Sequence, residues 1–449
     1  MLCPLLILYS LGYILKPGTE HGIAKTGLIY LSTLPSGATV YLEDKRFTEK
    51  TPVFLQGLLP GKYRVTVFLK GYRPWIHTIS VRAEQAAVFD KILLVPKEWN
   101  CQYLAEEEFD NLIPLNDRRY LLLTNGPLLE DFYFYDFRKK ILSPLTPDDF
   151  RFDDAHVVSY LTARRSEQLL IDAQLGLWGE EGFFWVDPST KEKIKDITPF
   201  FADKPQFVDW DIRQPEKLFS FKNGTLSRVD LDSGEADPKF AESVRGYGLF
   251  GEKLYVLDQA LGLQKMELDG KNREIISTHP FGPELTDTKD FLRIKVFPKN
   301  KIFFIGRRGE LWSNEFPNPL VPGGVLDMQQ DPTTQKILVY REDSLGILEP
   351  KSASIRWLVL KAAKITQAFW VYGGSHVLFR DGDKVALIEL AEHTAMEAQE
   401  FLQVKRGSSI LYVEKSGRLY YLEKKSGRFC AIDLMSHHDR TFRSEAEIP

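Results

Sequence analysis

"KLFSFKNGTLSRVDLDSG", residues 217–234, is the stretch whose reading decides how most of this chain folds. An apolar segment carrying Leu218, Phe219 and Phe221 runs into Asn223-Gly224, a second apolar segment follows, and Asp230 to Gly234 make a polar bend. Two short apolar segments around a Gly turn read as a hairpin of strands. The same phrase returns as "YLLLTNGPLLEDFYFYD" (120–136), "QLLIDAQLGLWGEEGFFWVD" (168–187), "KLYVLDQALGLQKMELDG" (253–270), "KIFFIGRRGELWSNEF" (301–316), "KILVYREDSLGILEP" (336–350), "HVLFRDGDKVALIEL" (376–390) and "SILYVEKSGRLYYLEKKSG" (409–427). Its anchors Leu121, Leu169, Leu218, Leu254, Ile302, Ile337, Val377 and Ile410 recur at about 41 residues, the span of one four-stranded propeller blade. The phrase is expected to supply the inner and middle strands of each blade. Glycines 224, 262, 309, 346 and 417 are expected at its reversals.

Residues 100–435 are therefore expected to form a β-propeller of seven or eight blades. Its two ends should join inside one blade, so that no sheet edge stays exposed. An irregular sandwich stack or a shorter solenoid is the competing arrangement. Gly-His with Trp-Asp pairing does not occur, so the repeat is not a recognisable WD40 array. One segment departs from the strand rhythm: "ELAEHTAMEAQEFLQ", 389–403, could form a short inserted helix. In "GFFWVD", 182–187, alternate residues point to opposite faces, and burial in the blade core is expected for the rings rather than a ligand surface.

Ahead of the repeat, residues 27–97 alternate with period two: Tyr63, Val65 and Val67 fall on one side, Arg64, Thr66 and Phe68 on the other. This predicts a small β-sandwich punctuated at Pro35-Ser36-Gly37-Ala38, Leu59-Pro60-Gly61 and Lys70-Gly71. The segment resembles a PEGA domain. The residues carrying the likeness are the Pro-Ser-Gly-Ala turn, Thr51-Pro52, the Leu-x-Pro-Gly-x-Tyr from Leu58 to Tyr63, and Gly71-Tyr72. Serine stands where the namesake motif has glutamate, and Lys50 where a glycine usually precedes Thr-Pro. The resemblance implies a module of bacterial envelope proteins that serves attachment or contact with protein or polysaccharide, and not catalysis. It also implies a single N-terminal membrane helix ahead of the module.

"MLCPLLILYSLGYIL" carries no charge. Fifteen helical residues rise about 22 Å, short of the about 30 Å of a bilayer core. With no basic stretch before it and no A-x-A cleavage site, the run is a poor signal peptide. Residues 1–16 are expected to be the outer part of an N-terminal signal anchor; a buried strand or helix of the soluble fold is the other reading. An anchor would put the protein in the cell membrane as a single-pass protein, bulk extracytoplasmic. The fold class expected is mainly β: N-terminal membrane helix, PEGA-like β-sandwich, seven- or eight-bladed β-propeller, and a flexible tail over 436–449.

Chemistry is harder to find. With 58 Lys+Arg against 62 Asp+Glu there is no broad basic field for nucleic acid. Cys3, Cys101 and Cys430 cannot make a metal knuckle or a disulfide framework. Cys101 and Cys430 lie near the two ends of the large region, so one closing disulfide is conceivable beside the plainer reading of two packed thiols. No histidine pair has metal spacing, and neither a nucleophile elbow nor a phosphate loop occurs. No metal or cofactor is expected. The densest carboxylate group, Asp148, Asp149, Asp153 and Asp154 with His156, is expected to be a solvated loop between blades. It would supply the catalytic candidates if the protein were instead a hydrolase or lyase of cell-wall polysaccharide. "GGSH" at 373–376 and "RRGE" at 307–310 read as ordinary turns. Tyr72, Trp75 and Trp99 are expected at the seam between the two domains. The leading expectation is a non-enzymatic binding or scaffold protein of the envelope, held by its N-terminal helix, with the propeller face on a protein or polysaccharide partner.

Overall fold

The computed structural model describes residues 13–15, 23–115, 119–146, 155–162, 167–176, 179–190, 193–201, 205–211, 213–214, 216–277, 291–349, 352, 354–390 and 397–435. The first sandwich sheet orders its strands Val53–Leu58, Gly27–Leu34, Ala86–Leu93; the second orders Lys45–Lys50, Thr39–Leu42, Gly61–Phe68, Trp75–Val81. Between them Ile29, Leu31, Val40, Leu55, Val65, Val67, Ile79 and Phe89 make one core, as the alternation requires. The sequence landmarks are joints. Thr51 Oγ1 accepts from the Ala38 N–H at 2.9 Å and shares a 2.6 Å bond with Thr33 Oγ1, tying the Thr-Pro to the Pro-Ser-Gly-Ala turn. The Tyr63 hydroxyl donates to the Leu59 carbonyl at 2.9 Å and pins the Leu-Pro-Gly turn.

Beyond the sandwich the strands of the described residues fall into eight consecutive four-stranded antiparallel units, blades 1 to 8. In sequence they occupy 111–144, 156–196, 207–241, 244–277, 292–321, 325–360, 365–403, and 411–433 completed by 102–108. Blade 8 draws its outer strand, Gln102–Glu108, from the start of the region and its other three from the end. Tyr103 pairs with Cys430 in that join. Each neighbouring pair of blades shares one apolar cluster. The ring is closed by Phe109, Leu121 and Tyr135 at its beginning packing on Tyr420, Leu422 and Phe429 at its end.

The repeated phrase lands on the two middle strands in seven of the eight blades, and on the first two strands in blade 8. Middle strands are apolar on both sides because each side meets a different neighbour. In the stretch quoted first, Leu218 packs toward blade 2 while Phe219 and Phe221 pack toward blade 4. Phe184 and Phe183 divide the same way between blades 1 and 3, and Trp185 is partly buried beside Phe183. Trp178 lies outside the described residues.

Between blades 4 and 5 the ring tightens. Their first strands pair directly and in parallel, Gly246 with Leu292 and Tyr247 with Arg293. The approach needs glycine: a Cβ on Gly246 would stand 2.3 Å from the Leu292 carbonyl oxygen, and one on Gly248 2.6 Å from that of Ile294.

Of two expectations about helices, one falls largely outside the described residues and the other is corrected. Within the N-terminal run, Tyr13–Leu15 is a strand, paired antiparallel with Ile23–Lys25, and the rest of residues 1–16 lies outside the described residues. Tyr and Ile suit a strand. Among the described residues no helix is long and apolar enough to cross a membrane. In 389–403, Ala398–Gln403 is the outer strand of blade 7, so pairing with Lys384–Ile388 overrides the helical leaning of its Ala, Glu and Gln. The tail 436–449 lies outside the described residues.

Cys101 and Cys430 are free thiols, Cys430 fully buried and Cys101 partly. Burial, with Cys101 beside it, pushes the Cys430 thiol up, so thiolate is scarce there. Iodoacetamide at mildly alkaline pH should label Cys101 in the folded protein and reach Cys430 only after denaturant; peptide mass spectrometry reads this, and equal labelling of both would refute it.

Candidate functional site: the free loop face of the ring

Because the strands of a blade alternate in direction, the starts of its first and third strands share one face of the ring with the ends of the second and fourth. The sandwich occupies the opposite face, at blades 7 and 8. Leu34, Leu93 and Val95 join the apolar cluster between those blades, with Val371, Leu378 and Leu387. Trp75 belongs to the sandwich core, yet its Nε1 donates to Glu389 Oε2 at 2.7 Å, at the end of blade 7's third strand. Trp99 Nε1 donates to the Phe401 carbonyl at 3.2 Å and Arg73 to that of Glu400 at 2.6 Å. Side chains of the sandwich and linker thus take carbonyls of blade 7's outer strand, a sheet edge otherwise open to pairing. Tyr72 packs on the sandwich core and lines, with Trp99, Cys101 and Asp433, a cleft of 640 Å³ beside the join.

This seam encloses ionisable groups. Burial raises the Glu389 carboxyl to about 7, offset in part by the Trp75 N–H. Burial lowers His376, fully enclosed and hydrogen bonded to Ser375 Oγ at 2.8 Å, to about 3, with the positive Lys91 adding to the shift. His77, on the sandwich side, is also lowered by burial, against the pull of Glu397. Lys91 Nζ reaches the Gly373 carbonyl at 3.5 Å. "GGSH" is therefore part of the seam, which its reading as a plain turn missed.

Two depressions lie on the free face among the described residues. One, of 870 Å³, spans the starts of blades 3 and 5 and is lined by Gln206, Phe207, Phe291, Arg293, Ile305 and Arg307. Phe207 and Phe291 stack with centroids 4.3 Å apart, and Phe291 also meets Phe221 at 4.5 Å and Tyr247 at 5.9 Å. Phe207 is 36% exposed, enough to offer a ring face. Arg293 donates to the Leu326 carbonyl at 3.0 Å, and Arg307 is exposed at the rim. Rings beside guanidinium groups can stack on a sugar or an apolar side chain while meeting an anionic group. The second depression lies between blades 7 and 8, around Arg380.

Of the catalytic candidates, Asp148, Asp149, Asp153 and Asp154 lie outside the described residues. His156 is exposed at the start of blade 2's first strand, bridged through its backbone to Leu128. Among the described residues, no three His, Cys, Asp or Glu stand where they could hold a metal ion, and those lining the aromatic cleft include no carboxylate. Sequence reasoning missed Phe207, Phe291, Arg293 and Arg307. Phe207, Phe291 and Arg293 lie between successive copies of the repeated phrase, at the starts of first strands, and Arg307 lies inside one copy, in "RRGE", which looked like any hairpin turn.

Comparison with known proteins agrees with the smaller domain. Residues 26–94 match the PEGA domain model. The sandwich described above is the segment that matches, and its Trp75, with Arg73 and Lys91, bonds it to the ring. No curated protein sequence matches the chain significantly. Among solved structures, the C-terminal WD40 domain of Sif2 aligns at 9% identity and TM-score 0.48, over 74% of this chain and 98% of that one. Hsv2 of Kluyveromyces lactis aligns at 10% identity and TM-score 0.42, over 66% of this chain and 99% of that one. PorZ of Porphyromonas gingivalis, described as an essential bacterial surface component of the type-IX secretion system, aligns at 14% identity and TM-score 0.36, over 72% of this chain and 42% of its own. This chain thus spans less than half of PorZ. The propeller assignment rests on the strand order and the eight shared clusters.

Proposed function

We propose that the protein is a non-enzymatic binding and scaffold component of the bacterial cell envelope. Its N-terminal segment holds it at the membrane, the bulk of the chain is extracytoplasmic, and the PEGA domain serves as stalk and adaptor for the propeller. The aromatic and arginine cleft on the free face engages a protein or polysaccharide partner. One observation carries this reading: the PEGA domain is fixed to one face of the ring through Trp75 and Trp99, which leaves the face bearing Phe207 and Arg307 turned away from it. An adaptor that covered the ligand-bearing loops would defeat such a role; here it covers the others.

The test uses the full chain, immobilised, against solubilised envelope extract and, separately, isolated peptidoglycan. Wild type is compared with Phe207→Ala/Arg307→Ala, a pair at the rim whose loss should leave folding intact. A partner retained by wild type and lost by roughly tenfold or more in the variant supports the reading, since stacked aromatics and arginines dominate such contacts. Equal retention by both proteins in both arms would remove the cleft from the proposal.

A further inference from the structure

We propose that the pocket between blades 7 and 8 on the free face is an oxyanion site, built to take a phosphate or carboxylate group of a ligand. Its cavity of 680 Å³ is lined by Lys364, Gln367, Arg380, Asp383, Arg406 and Ser409. Three cations thus face one carboxylate. That carboxylate is already engaged, because Lys424 Nζ holds Asp383 at 2.7 Å. The neighbouring Asp381 accepts the Lys364 backbone N–H at 2.7 Å.

Arg380 makes the pocket more than a charged surface. It is only 4% exposed, its Nε is buried with no hydrogen-bond partner, and its NH2 reaches the Lys405 carbonyl at a long 3.4 Å. Burial pulls its pKa down, against a partial pull upward from Asp383. A buried guanidinium with an empty donor is costly unless something fills it. A purely structural arginine at this position would be expected to spend its donors on the blade.

The floor is rigid: the Gln367 side chain donates to the Ile410 carbonyl at 3.1 Å and accepts the Ile410 N–H at 2.8 Å, locking blade 7 to blade 8. Lys364 and Arg406 stand exposed at the rim, Lys364 with Glu342 at 3.6 Å in solvent, a pairing too weak to withdraw it from a ligand. The planar fork of arginine suits phosphate and carboxylate alike. The cavity is larger than either group, so it also has room for part of the ligand that bears it. This site is separate from the aromatic cleft and stands whether or not that cleft binds a partner.

The experiment is isothermal titration of the full chain with sodium phosphate and with sodium acetate, each against sodium chloride at equal ionic strength and pH 7.5. Saturable binding of either anion is expected, weakened roughly tenfold or more in Lys364→Ala/Arg406→Ala with its melting temperature in chloride unchanged. The stronger of the two anions then identifies the group. Arg380→Lys keeps the charge and loses the fork, and should also weaken binding; should it fail to fold, the rim variant decides. Phosphate and acetate giving no heat beyond chloride, or the rim variant binding like wild type, would overturn the proposal.

Discussion

Gly246→Val should lower the stability of the propeller by about 3 kcal/mol, at the upper end of what overpacking costs and enough to be seen as a clear drop in urea midpoint. The Cβ it adds would stand 2.3 Å from the Leu292 carbonyl oxygen, an approach no rotamer can relieve because the backbone alone fixes where the Cβ stands and the oxygen belongs to the backbone of the paired strand. To make room, the first strands of blades 4 and 5 must part. Their pairing would break, and with it the apolar cluster of Leu257, Leu263, Ile294 and Phe304 would loosen. Gly61→Ala is the control: nothing lies closer than 3.8 Å to the new Cβ and the backbone there is not left-handed. Equal urea midpoints for Gly246→Val and wild type would mean that these blades are not in contact as described.

The second large effect belongs to Glu389. Its carboxyl is raised by burial to about 7 from an ordinary 4.5. Below pH 4.5 both folded and unfolded chains hold the proton. As pH rises from about 4.5 to about 7 the unfolded chain gives it up first, so stability falls across that window, by on the order of 3 kcal/mol in all. His77 and His376, both pushed down by burial, act the other way, since stability is lost as pH falls through their ordinary value of 6.5. Comparing wild type with Glu389→Gln cancels the histidines. Glutamine keeps an oxygen for the Trp75 N–H and carries no charge, so the variant should match wild type near pH 4.5 and exceed it by about 3 kcal/mol above pH 7. Melting curves over this range give the answer, and a pH-independent difference would show that Glu389 does not sit buried in the seam. Trp75→Phe removes the donor together with part of a ring packed in the sandwich core, and should cost at least about 1–3 kcal/mol, the penalty of a buried acceptor left unmet plus lost packing.

Much of the fold was legible because burial on two faces is written locally. Leu218, Phe219 and Phe221 alternate between neighbours, and that pattern needs no knowledge of which neighbours they are. The sandwich landmarks were legible for a related reason: Thr51 and Tyr63 satisfy turns only a few residues or one strand away. Where the reading failed, a distant partner had decided the outcome. Ala398–Gln403 has helical composition and is a strand because an edge was waiting for it. His376 looked like part of a turn and is buried because a domain some 280 residues earlier covers it. The acidic cluster at 148–154 drew attention by composition alone. Phe207, Phe291, Arg293 and Arg307 drew none, since three separate chain segments must converge before they make a cleft.

By itself the amino-acid order determined a chain of apolar hairpins with a blade-length period, preceded by a PEGA-like sandwich. Such periodicity follows from side chains that must be buried on alternate faces, a requirement each hairpin states for itself. The tertiary structure alone decided that the described residues make eight blades, that 102–108 closes the last of them, and that Trp75 anchors the sandwich on Glu389. It also decided which loops share the free face. Those outcomes depend on how much each blade turns relative to the next, a quantity summed around the whole ring and carried by no single stretch of sequence.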